Sequence, residues 1–346
     1  MSAPEYPKSR EAFAKKLPFL RARAAMLSAM KGWFKAEGFD EVDTPSLQLS
    51  PGMEVHLRAF KTEFANLDGS PPCALYLHTS PEFAMKKLLA LGLPRIFQFA
   101  HVFRNEVVSP THYPEFTMLE WYRAEADYTA LMDDCDSLLA LALEAAGKQE
   151  FSRGPARCKP LPAERLSVAE VFDKYAGFDL FATIAPGLPV EKIAEKARKN
   201  NINVSPSDTW DDIFEKFMLG PIEPNLGLSR PTILYDYPLH MAALSRQSAR
   251  DPRLAERFEL YVCGVELANA FSELTDAAAQ AERFKADAAE KKRLYGIEYP
   301  VDFEFLEALS NMPEAAGAAL GFDRLVMLAT GAEDIREVLW SLVPSI

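Results

Sequence analysis

Twenty residues, Phe103 to Tyr122, reading FRNEVVSPTHYPEFTMLEWY, constrain this chain more than any other stretch. Two runs suited to strands flank a segment broken by Pro110 and Pro114, which predicts a hairpin with a long tip. Side chains alternate along a strand, so Arg104 and Glu106 are expected on one face, with Phe103 and Asn105 on the other. The same rule gathers Phe116, Met118, Glu120 and Tyr122. A face carrying an arginine, two glutamates and a tyrosine is not plain core, because burying unpaired charge is costly. It needs polar or charged company.

ATP would supply that company. Arg104 could hold a phosphate as a planar fork, Glu106 could accept from the adenine amino group, Phe116 could stack on the base, and His112 could reach the polyphosphate from the loop. An ordinary hairpin with a surface ion pair would use the same residues. The stretch resembles motif 2 of the class II aminoacyl-tRNA synthetases, and EFTMLEWY after FRNE is closest to the lysyl-type branch. That resemblance implies ATP contacts at Arg104, Asn105, Glu106, His112, Tyr113 and Phe116.

The chain of 346 residues is 49 % apolar, ample for a core. It carries 38 Lys and Arg against 50 Asp and Glu, and a net charge of −12 is the wrong sign for a protein that lives on a phosphate backbone. The four cysteines, Cys73, Cys135, Cys158 and Cys263, form no CxxC pair, so neither a zinc site nor a disulfide framework is expected, and a cytoplasmic location fits. No run has signal-peptide or membrane-spanning length, so a soluble protein with no membrane partner is expected.

Apolar spacing from Phe13 to Glu37 predicts a helix interrupted by Pro18 and stopped by Gly38, followed by a short strand, FDEVDTPSL, closed at Pro45. This resembles motif 1, the dimer-forming helix and strand of class II synthetases. In LYLHTSPEFAMKKLLALGL, Thr79 or Ser80 can cap a helix with Pro81 first and Glu82 in the first turn. A plain cap explains these residues. The resemblance to lysyl-tRNA synthetases instead makes Ser80, Pro81 and Glu82 part of an amino-acid pocket. Tyr128 to Ala146 reads as a helix ended by Gly147, and residues 150–230 read as a helical insertion of no assigned function, with helices near Val168–Tyr175, Val190–Asn200 and Trp210–Leu219.

Further on, Cys263 and Gly264 look like a two-residue hairpin turn between FELYV and VELAN. Pairing Val262 with Val265 sets Tyr261 opposite Glu266 and makes Glu259 its diagonal neighbour. Two carboxylates so placed repel unless a cation joins them, and Mg2+ held between Glu259, Glu266 and ATP phosphates would answer, as would two solvated glutamates on an edge hairpin. Asn269, Phe271 and Glu273 have the opposite parity, which a bulge near Ala268 would correct. ELANAFSEL matches the lysyl-type pattern except that Ala270 stands where glycine is usual. Ala277 to Tyr295 reads as a helix whose Lys285, Lys291, Lys292 and Arg293 form a solvated face. GAALGFDRLVMLATG predicts a strand and then a helix from Asp323 to Gly331 with Arg324 at its start, which resembles motif 3.

The resemblance runs from about Phe19 to Leu342 and implies an α+β fold, the class II synthetase catalytic domain, with an antiparallel sheet flanked by helices, as one domain over 1–346 assembled as a homodimer. It implies catalytic roles for Arg104 and Arg324, with Glu266, Leu267, Gly321 and Arg324 completing the ATP site. It places Glu273 and Tyr122 on a distal ammonium, Glu82 and Glu120 near the other amino group, and Asn269 toward the carboxylate. Ala319 stands where lysyl-tRNA synthetases have glycine, a methyl that would crowd α-lysine. Lysyl-tRNA synthetases also carry an OB-fold that reads the anticodon, for which this chain has no room, so tRNA is not the expected acceptor. The chain is identified as a member of the elongation factor P lysine ligases, synthetase paralogues without that reader. Membership implies ATP-dependent activation of (R)-β-lysine and its transfer to a lysine side chain of elongation factor P. A free-standing asparagine synthetase, or a non-catalytic regulator of the same fold, are the other classes this architecture allows.

Overall fold

Helix α1 (Arg10–Ala36) opens on Ser9, whose hydroxyl accepts from the Ala12 amide at 3.1 Å. The structure, a computed structural model, describes residues 9–65, 68–185, 187–242 and 244–343. Residues 1–8, where a signal segment would begin, lie outside these. The break expected at Pro18 does not occur, and α1 runs through it. Proline removes the donor to the Ala14 carbonyl, but Ala14 is exposed to water, while Leu20, Met26, Met30 and Phe34 anchor the opposite face.

After α1 come three short strands, β1 (Asp40–Glu41), β2 (Leu47–Gln48) and β3 (Lys61–Phe64), then β4 (Cys73–Leu77) and α2 (Glu82–Ala90). The central hairpin is β5 (Arg95–Phe103) and β6 (Glu115–Ala124), followed by α3 (Tyr128–Ala146), which ends as expected on Gly147 at φ +65°. The segment read as purely helical is mixed. It contains α4 (Val168–Ala176), α5 (Val190–Lys199) and α6 (Trp210–Phe217), but also β7 (Phe151–Arg153) paired with β8 (Ala156–Cys158), and β9 (Glu164–Ser167). These strands are only three or four residues long, too short to show a period of two. The chain then forms β10 (Thr232–Pro238), β11 (Leu254–Val262), β12 (Val265–Ser272), α7 (Ala277–Tyr295), α8 (Phe303–Leu309), β13 (Ala315–Gly321) and α9 (Phe322–Thr330).

The main sheet has the order β1-β5-β6-β13-β12-β11-β10-β9. Its centre is antiparallel as expected, and each edge adds a parallel pair, β1 with β5 and β9 with β10. Alternation divides the sheet into two faces. Leu119 and Trp121 of β6, Ala316, Ala318 and Leu320 of β13, and Ala268 and Ala270 of β12 pack against α1, α3 and α9 in the largest apolar cluster. Ala270 lies in regular pairing between Phe258 and Ala318, with its methyl in that cluster. A buried ion pair between Arg23 of α1 and Asp323 of α9 locks these layers, and Thr117 of β6 donates its amide to Asp323 at 2.8 Å. The opposite face of the same strands is left for the site.

Candidate active site

The other parity of β6 and β13 lines a cavity of about 420 Å³. Phe116, Met118, Glu120 and Tyr122 of β6 share its wall, as alternation requires. Opposite them on β13 stand Gly317, Ala319 and Gly321, and this run of small residues opens the space. Gly317 has no alternative, because a Cβ there would collide with the Tyr122 ring and the Glu273 carboxylate. Ala319 lies between Glu120 on one neighbouring strand and Asn269 on the other.

Acidic groups dominate one part of the cavity. The Ser80 hydroxyl donates to Glu120 Oε1 at 2.5 Å and the Tyr122 hydroxyl to Oε2 at 3.0 Å. Burial, reinforced by Glu82, pushes the Glu120 pKa up to about 8. Glu273 is buried behind Gly317 and its pKa is also raised by burial, against the pull of Lys86. Lys86 is 2 % exposed and pairs with both Glu82 and Glu273. Glu273 Oε1 has no hydrogen-bond partner.

Cations occupy the other part. The strand expected to carry Arg104 and Glu106 ends at Phe103, and both lie in the following loop. A last rung, the Arg104 amide donating to the Pro114 carbonyl at 2.9 Å, still fixes the start of that loop, and Ser109 pairs with His112 at its tip. The Arg104 guanidinium lies 5.3 Å from the Phe116 ring centroid, and its Nε is buried without a hydrogen-bond partner. Arg324 donates to the Thr111 carbonyl at 3.1 Å, the Glu266 carbonyl at 2.9 Å and His112 Nε2 at 2.8 Å. Loss of water around His112, then the charges of Arg324 and Arg104, push its pKa down to about 4. His112 is therefore a neutral acceptor that holds Arg324, with Nδ1 turned to the Ser109 hydroxyl at 2.8 Å.

A second cavity, of about 260 Å³, adjoins the first through Arg257 and Glu266. The turn at Cys263 and Gly264, at φ +52° and +68°, pairs Val262 with Val265 and Tyr261 with Glu266 as the sequence predicts. The expected bulge is there, with Leu267 as the extra residue beside Ala268. Glu259 is fully engaged: Arg257 donates to Oε1 at 2.8 Å, and Tyr237 and Tyr261 to Oε2 at 2.6 Å each. Burial and then Glu259 raise the Glu266 pKa. Glu215 and Glu223, from the segment without an assigned role, face the same cavity, and burial and then Glu259 push each up to about 7.

The family of class II tRNA synthetases (D, K and N) matches residues 10–340. The chain belongs to this family. Among its relatives are proteins named elongation factor P–(R)-β-lysine ligase, from Histophilus somni strain 2336, 40 % identical over 321 residues covering 92 % of this chain and 93 % of the relative. Those of Vibrio cholerae (39 % over 327 residues, 92 % and 93 %) and Enterobacter sp. strain 638 (38 % over 325 residues, 93 % and 94 %) carry the same name.

In this class II enzyme, Ser80, Glu82, Arg104, Glu106, His112, Tyr113, Phe116, Glu120, Tyr122, Glu266, Leu267, Asn269, Ala319, Gly321 and Arg324 all border the larger cavity. Tyr113 is mostly core, its hydroxyl accepting from the Val343 amide at 2.8 Å. Asn105 is not among the lining residues; it is exposed, and its amide donates to the Arg58 carbonyl at 2.7 Å. Pro81 sits one position earlier than expected, just before α2, and Ser80 Oγ accepts from the Glu82 amide at 3.0 Å while also holding Glu120. Cap and pocket are thus one residue's two bonds. Lys291, expected in a solvated face, is 2 % exposed, and its Nζ donates to the Glu54 and Leu57 carbonyls. Sequence reasoning missed Lys86, since a glutamate and a lysine four apart on a helix ordinarily mark a solvated pair. The signal was its place beside Met85 and Leu89 in the buried stripe of α2.

Proposed function

We propose that the synthetase activates (R)-β-lysine with ATP and transfers it to a lysine side chain of elongation factor P. One observation carries this: a single cavity is lined by Glu82, Glu120 and Tyr122 on one side and Arg104 and Arg324 on the other, with Glu273 not on its surface but buried directly behind Gly317. Such a site suits a molecule with ammonium groups and a carboxylate that must meet a phosphate. An aspartate pocket would need cations facing a side-chain carboxylate, and the acidic wall argues against it.

Glu273 Oε1 and the Tyr122 hydroxyl take the distal ammonium, while Glu82 and Glu120 lie near the other amino group. Arg257 Nε donates to Asn269 Oδ1 at 3.1 Å, which leaves the Asn269 amide nitrogen to donate to the substrate carboxylate. Phe116 offers a face to adenine, with Glu106 as acceptor for its amino group. Arg104 holds the α-phosphate and Arg324 the terminal one, preorganised by His112. A carboxylate oxygen attacks the α-phosphorus, the bond to the bridging oxygen breaks, and pyrophosphate leaves. The acceptor amine then attacks the carbonyl carbon of the adenylate, AMP departs, and the amine loses a proton.

Of the two carboxylates expected to hold magnesium, Glu266 would be its ligand and Glu259 a neighbour already held by other donors. One or two carboxylates suffice for this ion. When bound it would neutralise phosphate charge. Ala319 places a methyl on the wall beside Glu120 and Asn269, where it acts against α-lysine. The enzyme works as a cytoplasmic homodimer. The four cysteines are all free thiols, which suits a reducing compartment, and among the described residues no helix is long and apolar enough to cross a membrane.

ATP–pyrophosphate exchange with (R)-β-lysine, α-lysine and aspartate tests the proposal, together with transfer of labelled β-lysine to elongation factor P and to total tRNA. Exchange with β-lysine and labelling of the protein alone is the expected result. Exchange with aspartate only, or robust acylation of tRNA, would overturn it.

A further inference from the structure

Glu54 stands in the wall of the larger cavity with no part in the chemistry above. The loop that carries it, between β2 and β3, is held from several sides. Lys291 Nζ donates to the Glu54 and Leu57 carbonyls at 2.5 Å each, the Ala59 amide donates to the Tyr299 hydroxyl at 2.9 Å, and the Thr79 hydroxyl donates to the Pro51 carbonyl at 2.8 Å. Gly52 adopts φ +122°, a dihedral that favours glycine, and a Cβ there would lie 2.5 Å from Glu54 Oε2 and displace that carboxylate. The backbone is thus fixed around this carboxylate.

Glu54 Oε2 is nonetheless buried with no hydrogen-bond partner. A buried carboxylate oxygen left unpaired is expensive, and a cationic ligand is what would complete it. Burial and the nearby Glu82 raise its pKa, opposed by Arg104 and Lys291. These neighbours also locate it along the cavity. Glu273 and Glu120 respond to Lys86 and Glu82, whereas Glu54 responds to Glu82 and Arg104. Glu54 borders the cavity together with Glu82 of the acidic wall and Arg104, the arginine assigned to phosphate.

We propose that Glu54 is a specificity residue that binds the second ammonium of the substrate, the one nearer the reacting carboxylate. It would thereby select diamino acids over a chain of similar length with only the distal amino group. The assignment rests on the cavity being a lysine-type site. Lys291, Tyr299 and Gly52 are then positioning residues for it.

The test compares Glu54→Gln with the wild type in pyrophosphate exchange, using (R)-β-lysine and ε-aminocaproate, which lacks the second amino group. Loss of one charge-assisted hydrogen bond should lower kcat/KM for β-lysine about 10- to 100-fold, chiefly through KM, while leaving ε-aminocaproate nearly unchanged. Glu54→Asp, which keeps the charge, should retain a preference for the diamino acid. A loss shared equally by both substrates, or undiminished use of β-lysine, would overturn the assignment. A wild-type enzyme inactive with every lysine isomer would instead overturn the functional proposal itself, and the role of Glu54 with it.

Discussion

Arg104 and Arg324 reach the same cavity under different constraints, and the difference can be measured. Arg104 leans on Phe116 with its Nε unpartnered, whereas Arg324 ties the loop after β5 to α9 through the Thr111 carbonyl and His112. Either change to alanine should cost pyrophosphate exchange about 10²- to 10³-fold, the usual effect of losing a donor to developing charge. Arg104→Ala should leave the thermal unfolding midpoint almost unmoved. Arg324→Ala should also lower stability, by about 1 kcal/mol, since the partly buried Thr111 and Glu266 carbonyls lose their donor. Normal exchange in both variants would remove the phosphate assignment. Glu120 supplies a pH dependence. With its pKa at about 8, the free enzyme holds it protonated at neutral pH, and an arriving ammonium favours the carboxylate. Substrate binding should thus release protons, and affinity should rise as pH increases through about 8. Calorimetry at pH 7 in two buffers of different ionisation enthalpy would detect this, and a buffer-independent heat would exclude it.

Among elements, the hairpins were legible and the loops were not. The turn at Cys263 and Gly264, the pairing of Tyr261 with Glu266 and the bulge beside Ala268 follow from turn chemistry and strand parity, which are local. The helices α3 and α7 match their expected bounds because glycine closes each. β5 ends sooner than its sequence implies because alternation persists in sequence after pairing stops, and the pairing depends on where the loop turns back at Ser109 and His112. Lys291 and Glu54 carry no local signature at all, and Lys86 carries only its place in the buried stripe of α2. Each is polar by composition and buried only by what α2, α7 and the loop after β2 meet in space. For Lys291 this yields a prediction about an element rather than a contact. Lys291→Met should keep the apolar stem but leave two carbonyls unsatisfied, costing about 1–3 kcal/mol. The loss should appear as faster amide exchange confined to residues 50–60 and a raised KM for β-lysine, and uniform exchange throughout the chain would contradict it.

At the scale of the whole molecule, one sheet face among the described residues is apolar and open to water. In the small sheet β2-β4-β3, Leu47 lies opposite Leu77, Thr62 opposite Leu75 and Phe64 opposite Cys73, so these six side chains share one face. Leu47 is 48 % exposed and Phe64 57 %, and Leu49, just past the strand, is 59 % exposed. Scattered apolar residues are ordinary on a surface, but a contiguous sheet face of this kind usually meets another protein. It follows Pro45, directly after the helix and strand that resemble the dimer-forming motif of the family, so a second copy of the chain is its expected occupant. A net charge of −12 opposes association at long range, and so the contact must be apolar and should strengthen with salt. Sedimentation at micromolar concentration should therefore show a dimer whose dissociation is reduced by added sodium chloride. Leu47→Asp combined with Phe64→Asp should give a monomer with an unchanged circular dichroism spectrum, because both side chains already face water in the isolated chain. A wild-type protein that sediments as a monomer at every salt concentration, or a double variant that remains a dimer, would remove this face from the assembly.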